Sequence, residues 1–545
     1  MVTPGRRLLA AAAAAALVVS GCGSSHHQSA PSHPSTTEPT SLASPGPSPS
    51  PVGEVSFAVG SPAPNNWNVL AAGGAGSTLD QVAAQLWPSA FVVGPNYAPS
   101  LNAALLTSAT VTSESPQVVV YHINPSAKWS DGVPITGQDF VYNWLAQSGR
   151  RSPTDIGGRA FTPATTAGYS QIASIGVAPL APDTVTVRFS SPYPDWRSLF
   201  SDLIPAHVAQ RIGFDRGFTD PVADLVSGGP YLVQSYTEGG QLRLVRNPNF
   251  SGPPGTALAI DFDFVPYPPQ IANALISGQV SCAEVAATPA SLLPLMRDKS
   301  LSVKVAGGST YLDLDLREGT GPLASAGRRQ TIADLINRQA ISTAVVGSVL
   351  SGPTPVANRF FIPGQSGYVA DGPTATAVHS GASGFQGLRL RLIAGSDPYS
   401  EAAARLVVSE LEAAGIAVTP ETVASVPAVL AETDWDLAIE SRSLTPFPGL
   451  ATGAFLAGSP NDVDGVDSPA LNALVGRVDA TTGSARLAVI DELDRLAWRD
   501  AIDLPLFAVP IAVACQSSVV NVAPNPAPQG SAYNAQLWGL SGNPT

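Results

Sequence analysis

Charge is scarce in this sequence, and what there is leans one way. Only 13% of the 545 residues are charged, and 28 Lys and Arg stand against 41 Asp and Glu, a net charge of −13. Lacking a basic excess, the chain is not built to hold nucleic acid or an anionic membrane surface. Lysine is especially rare: Lys128, Lys299 and Lys304 follow Ala, Asp and Val, so no glycine-lysine pair of a P-loop exists. Cysteine is nearly absent, three in all, with no CxxC pair for a metal knuckle. There is no Gly-x-Ser-x-Gly elbow and no His-Glu-x-x-His pair. Two of the many carboxylates could meet as an acid/base pair, but solvated acids on an acidic protein account for them, and an envelope hydrolase is the weaker reading. No metal and no cofactor is expected. What is abundant is glycine, 50, and proline, 51, which give many turns and long connections. The length exceeds what one core holds, so two or three domains are expected.

The most informative stretch runs from Val118 to Leu145. Val118, Val119, Val120 and Tyr121 read as a strand. Ser130-Asp131-Gly132 is a turn in which glycine supplies a positive φ. Thr136 and Asp139 have the spacing of a capping box. Phe140, Val141, Trp144 and Leu145 then recur as one apolar helix face. Lys128, Trp129, Ser130, Asp131, Gly132, Pro134, Thr136, Asp139, Phe140, Val141, Tyr142 and Trp144 together resemble a hallmark of the family 5 extracellular solute-binding proteins, the dipeptide and oligopeptide receptors of ABC importers. Further matches follow in family order. They include Pro205-Ala206-His207, Gly229-Pro230-Tyr231, Arg246-Asn247-Pro248-Asn249-Phe250 and Ser277-Gly278-Gln279-Val280. Cys282 stands where the family has an acid, Phe250 where it has Tyr, and Asn337 where it has Asp. His207 has no Ser or Cys motif beside it and reads as a structural histidine.

The resemblance implies an α/β fold of two lobes, the type II, cluster C form of the periplasmic-binding-protein fold. A small inserted subdomain and mixed β-sheets flanked by helices complete it. The expected division is residues 54–93 for the start of lobe I, 94–180 for the insert, 181–308 for the rest of lobe I, 309–507 for lobe II and 508–545 for the return. Ahead of these, Arg6-Arg7 and the apolar run from Leu8 to Val19 form an export segment too short to span a bilayer. It ends in Val19-Ser20-Gly21-Cys22, which resembles a bacterial lipobox, so residues 1–21 would be removed and Cys22 lipid-modified. Residues 22–53, rich in Pro, Ser and Thr, form a disordered tether with a reach on the order of 90 Å at ~3.1 Å per residue. The expected location is therefore the outer face of the cell membrane, anchored by lipid. In that oxidising setting Cys282 and Cys515 could pair or stay as separate thiols.

Several elements are legible directly. A helix is predicted over Leu79 to Leu86 and another over Thr331 to Ile341. Leu388 to Ile393, Ile416 to Val418 and Trp435 to Ile439 read as strands. Asp397 caps a helix with Pro398 at its first position, and Gly415 ends it. A strand, a crossover helix and a strand make a βαβ unit with parallel strands.

A two-lobed receptor needs a cleft with a few polar groups among aromatic walls. Candidates are Trp67, Asn68, Phe91 and Tyr311, each of which could equally be core, together with Asp313 and with Trp435, for which core is the favoured reading. Peptide receptors of this family hold the ligand's amino group with an Asp in the loop that here reads Glu440 to Gly449. That Asp is missing, and an ammonium buried without a counter-charge is costly. Arg442 either is a solvated surface arginine or offers a planar fork suited to phosphate or carboxylate; on the second reading an anionic or glycolipid guest is expected in place of a free-amine peptide. Pro88-Ser89-Ala90-Phe91 and Tyr193-Pro194-Asp195-Trp196-Arg197 resemble mycobacterial lipoproteins of the family that act in phosphatidylinositol mannoside and lipoarabinomannan synthesis. Expected partners are a small-molecule, peptide or glycolipid ligand and either an ABC permease or a membrane mannosyltransferase, with the chain itself a monomer.

Overall fold

The computed structural model describes residues 53–541, apart from 75–76, 151–152, 374–383, 433, 460–461, 463–464 and 466–467. The export segment, Cys22 and nearly all of the tether lie outside the described residues.

Ten strands form one continuous sheet, in the order Tyr231–Tyr236, Gln241–Arg246, Ala259–Phe264, Glu54–Val59, Cys282–Ala286, Asp503–Gln516, Leu301–Leu316, Leu437–Ser443, Arg389–Gly395 and Ala417–Val423. Two of them, Leu301–Leu316 (16 residues) and Asp503–Gln516 (14 residues), are far longer than the rest. They pair antiparallel from Leu301↔Gln516 to Asp315↔Asp503 and so carry the chain from one half of the molecule to the other. Each half has its own apolar core. One gathers residues such as Phe57, Trp129, Phe140, Phe200 and Trp538; the other gathers Leu312, Leu314, Leu392, Val407 and Phe507. The register slips between Gly307 and Tyr311, opposite Pro510 and Ala508. There the paired strands depart from regular ladder geometry, as at a β-bulge.

In the first half a separate four-stranded sheet pairs Leu106–Glu114, Gln117–Ile123, Ala181–Phe189 and Ile172–Ala178. The helix Gly137–Gln147 begins with the capping box read from the sequence: Gln138 N donates to Thr136 Oγ1 (3.3 Å) and Thr136 N to Asp139 Oδ2 (2.9 Å). Its apolar face packs Phe140 against Phe200 at 4.8 Å and Tyr121 at 5.8 Å. Burying a ring of that size contributes about 2 kcal/mol.

In the second half Arg389–Gly395 lies parallel to both Ala417–Val423 and Leu437–Ser443. The crossover helix Pro398–Ala413 is capped by Asp397, whose carboxylate accepts from Tyr399 N and Ser400 N, and Gly415 follows it at φ +86°. The helix expected over Thr331 to Ile341 is instead two, Ala326–Leu335 and Arg338–Val346. Ile336 is extended, and Asn337 caps the second helix by accepting from Ala340 N. Asn and Asp cap equally well, so Asn337 in place of Asp preserves the local chemistry. Cys282 and Cys515 face each other in register on adjacent antiparallel strands and are joined by a disulfide.

Candidate ligand cleft

Alternation along Leu301–Leu316 puts Leu312, Leu314 and Leu316 into the core of the second half and Tyr311, Asp313 and Asp315 on the opposite face. Register brings Arg442 opposite Tyr311, Glu440 opposite Asp313, and Asp503 opposite Asp315. Asp313, Asp315 and Asp503 are all fully buried. Arg442 reaches Asp313 Oδ2 with Nε at 3.0 Å and Asp315 Oδ1 with Nη2 at 2.7 Å. Arg359, also buried, binds Asp503, meets Asp494 at 3.1 Å and lies 3.8 Å over the Trp498 ring. Burial, with Asp503 and Asp315 alongside, pushes the Asp313 carboxyl well above its ordinary range. Burial would also raise Asp503, but the charges of Arg359 and Arg442 hold it below the usual value. Glu440 is pushed up to about 8 by burial and by Asp315. Oxygens of Asp313, Asp315 and Asp503 lie within 4.8 Å of one another, a spacing that suits a metal ion. The two arginines woven through them already supply the positive charge a cation would bring, so the donor set fits an internal ion network better than a metal.

This corrects the expectation for Arg442. Its fork is taken up by the chain's own carboxylates and is not held open for a phosphate or carboxylate guest. The stretch expected as a loop from Glu440 is strand through Ser443, and the loop proper starts at Leu444.

The space between the halves is crossed by Tyr97. This residue follows the short strand Phe91–Val93 at φ +56°, is almost fully buried, and donates its hydroxyl to the Pro526 carbonyl at 2.9 Å, with the Leu444 carbonyl at 3.4 Å. Val93, Tyr311, Ile362, Leu444 and Ala527 pack around it. Tyr97 lines a cavity of about 530 Å³ whose polar lining includes Glu114, Gln117, Asp195, Arg197 and Arg486, with Trp196 and Phe447 among its aromatic walls. Its hydroxyl partners Leu444 and Pro526 line a second cavity of about 420 Å³, walled by Pro95, Pro355, Pro363, Pro524, Phe361 and Phe507 and, among the described residues, without a charged side chain. Each is within the size range of a small-ligand site.

Of the sequence candidates, Tyr311, Asp313 and Arg442 come together in the ion network. Phe91 is packed 5.4 Å from Trp196, whose neighbour Arg197 stacks 4.5 Å over the indole at the edge of the polar cavity. Trp67, Asn68 and Trp435 belong elsewhere: for Trp435 this is the core position favoured from the sequence, and for Trp67 and Asn68 it corrects the cleft-wall assignment. Trp67 packs edge-on against Tyr236 and Phe264. Asn68 donates to the Phe214 carbonyl and accepts from Leu70 N. Trp435 fills a small core with Ile393, Leu430 and Ala438. His207 bonds Asp131 at 2.7 Å and lies 6.5 Å from the Trp129 ring, a structural setting. Tyr97, Arg486 and Phe447 were missed as site residues. The cues in the sequence were the Tyr193 to Arg197 motif, which carries Asp195 and Arg197 to the cavity, and the Glu440 to Gly449 stretch, which carries Phe447.

Comparison with known proteins agrees with this architecture. The profile of the bacterial extracellular solute-binding proteins, family 5 Middle, matches residues 100–461. The oligopeptide-binding protein OppA of Mycobacterium tuberculosis is 27% identical over 498 residues, 84% of this chain and 80% of that protein. The probable monoacyl phosphatidylinositol tetramannoside-binding protein LpqW of the same organism is 28% identical over 322 residues, 56% of this chain and 48% of that protein. The crystal form of the periplasmic EDTA-binding protein EppA superposes with a TM-score of 0.78 at 27% identity, covering 90% of this chain and 97% of the other. The fold is the type II periplasmic-binding α/β fold, and the chain belongs to the bacterial extracellular solute-binding proteins of family 5.

Proposed function

We propose that this chain is a non-catalytic receptor, lipid-anchored outside the membrane through Cys22, whose guest is an amphiphile of the glycolipid kind. Its role would lie in cell-envelope synthesis of phosphatidylinositol mannosides and lipoarabinomannan. The observation that carries the reading is a polar cavity lined by Tyr97 next to a proline-walled one lined by its partners Leu444 and Pro526. A head group of hydroxyls and phosphate meets Gln117, Arg197 and Glu114 in the first, while the second takes an apolar portion. The similarity to LpqW supports it, and so does the segment Leu444 to Gly449, which has no acid to meet a peptide's amino group.

A second reading has a specific observation behind it. OppA matches a larger share of the chain than LpqW does, which favours a peptide receptor delivering to an ABC permease. Mass spectrometry of the material that co-purifies with the protein from its native host separates the two. A mannosylated, acylated lipid supports the receptor of an amphiphile; a set of short peptides overturns it in favour of the importer.

A further inference from the structure

Arg486, in the first turn of the helix Gly483–Asp500, is 7% exposed, and Asp195, in the first half of the chain, is 6% exposed. Their side chains meet in a two-pronged ion pair, Nη1 to Oδ1 at 2.6 Å and Nη2 to Oδ2 at 2.7 Å. The Nε–H of Arg486 donates to the Val478 carbonyl at 3.1 Å, which fixes the plane of the guanidinium. Gly449, on the segment that follows the strand Leu437–Ser443, lies against both partners. A Cβ there would fall 2.2 Å from Arg486 Nη2 and 2.3 Å from Asp195 Oδ2. Three segments far apart in sequence thus converge on one contact, at the edge of the polar cavity. The two halves are also joined by the paired strands whose register slips at Gly307, by the packing of Tyr97 against Leu444 and Tyr311, and by the Tyr399 hydroxyl, which donates to the Ala287 carbonyl at 2.7 Å. A Cβ on the adjacent Gly308 would lie 2.6 Å from the Val509 carbonyl oxygen.

We infer that Asp195 and Arg486 form a clasp that holds the two halves shut and thereby sets how tightly a guest is retained. They are positioning residues, acting on the guest through closure. Bidentate arginine-carboxylate geometry is directional as well as strong, and out of water the pair is little screened by salt. If the halves part, both charges return to solvent and the contact is lost as a unit, so the clasp is a two-state element. The carboxylate also lies near the N-terminal turn of an 18-residue helix, where negative charge is favoured. The inference rests on the reading that the guest sits between the halves, but its test needs no guest.

The test is a spin-label distance measurement on guest-free full-length protein carrying Leu180→Cys and Glu412→Cys, one exposed site in each half, in a Cys22→Ser background. The parent is expected to give one short distance. Asp195→Asn and Gly449→Ala are each expected to lower the closed-to-open ratio at least about tenfold and to add a longer distance. Arg486→Lys, which keeps the charge but not the fork, should fall between. Arg477→Gln, which removes a solvent-exposed pair with Glu492, should match the parent. A folded Asp195→Asn or Gly449→Ala with the parent's distance distribution overturns the clasp, and so does a parent that is already mostly open. If Asp195→Asn does not fold, Gly449→Ala and Arg486→Lys decide the matter.

Discussion

Asp202 sits at φ +49°, its backbone N–H donating to Ser89 Oγ at 3.0 Å and one carboxylate oxygen buried without a partner. Burial, with Asp80 nearby, pushes its carboxyl up to about 8, and burial pushes Asp80 to about 6. Both folded values exceed the ordinary value of 3.8, so between that value and the raised one the folded chain binds more protons than the unfolded chain. Stability is then fully present below about 4 and is lost as pH rises toward 8. The urea midpoint should fall from pH 5 to pH 8, by on the order of 1 kcal/mol or more in stability. Asp202→Asn, which tolerates the same backbone conformation, should flatten that slope; an unchanged slope would contradict the assignment. Arg442 makes a different prediction. Because it neutralises Asp313 and Asp315 beneath it, Arg442→Gln should cost about 3–5 kcal/mol of unfolding free energy, read by denaturant titration. An Arg held for a guest would lose affinity and leave stability unchanged.

At the scale of elements, the sequence was legible where chemistry is local. The Thr136 and Asp139 capping box, the Asp397 cap with Gly415 after the helix, and the parallel strands around Pro398–Ala413 all follow from neighbours within a few residues. The break at Ile336 and Asn337 was not legible, because the apolar pattern runs through it. It is set by tertiary contact, Asn337 N donating to Glu410 of the crossover helix at 2.8 Å. The charge network was half legible: alternation put Asp313 and Asp315 on one face, but only the pairing of three strands brings Arg442 and Asp503 to them, and Arg359 arrives from a segment outside those strands. The Cys282–Cys515 disulfide spans 233 residues of sequence, so replacing both cysteines with Ser should cost roughly 2–5 kcal/mol in a reversible denaturant titration. A loss near zero would mean that the surrounding strand pairing already supplies that order. Gly308→Ala would bring Cβ against the Val509 carbonyl at 2.6 Å and should destabilise the strand crossing by about 1–3 kcal/mol.

For the whole molecule, the family and the two-part fold could be read from contiguous motifs, because the hallmark around Trp129 and Trp144 is a local unit of strand, turn and helix. The cleft could not. Its walls come from Tyr97, Arg197, Phe447 and Arg486, four places in the chain that only the crossing strands bring together, and the positive φ of Tyr97 has no cue in its neighbours. The importer and amphiphile readings share this geometry and differ in what fills it. Hydrogen–deuterium exchange, comparing protein stripped of its guest with protein reloaded from a host lipid extract, measures the shared claim directly. A guest gripped between the halves predicts added protection in the Tyr97 and Trp196–Arg197 segments of one half and, together with them, in Leu444 to Leu450 of the other. Protection confined to a single half, or none in these segments while the guest remains bound, would contradict it.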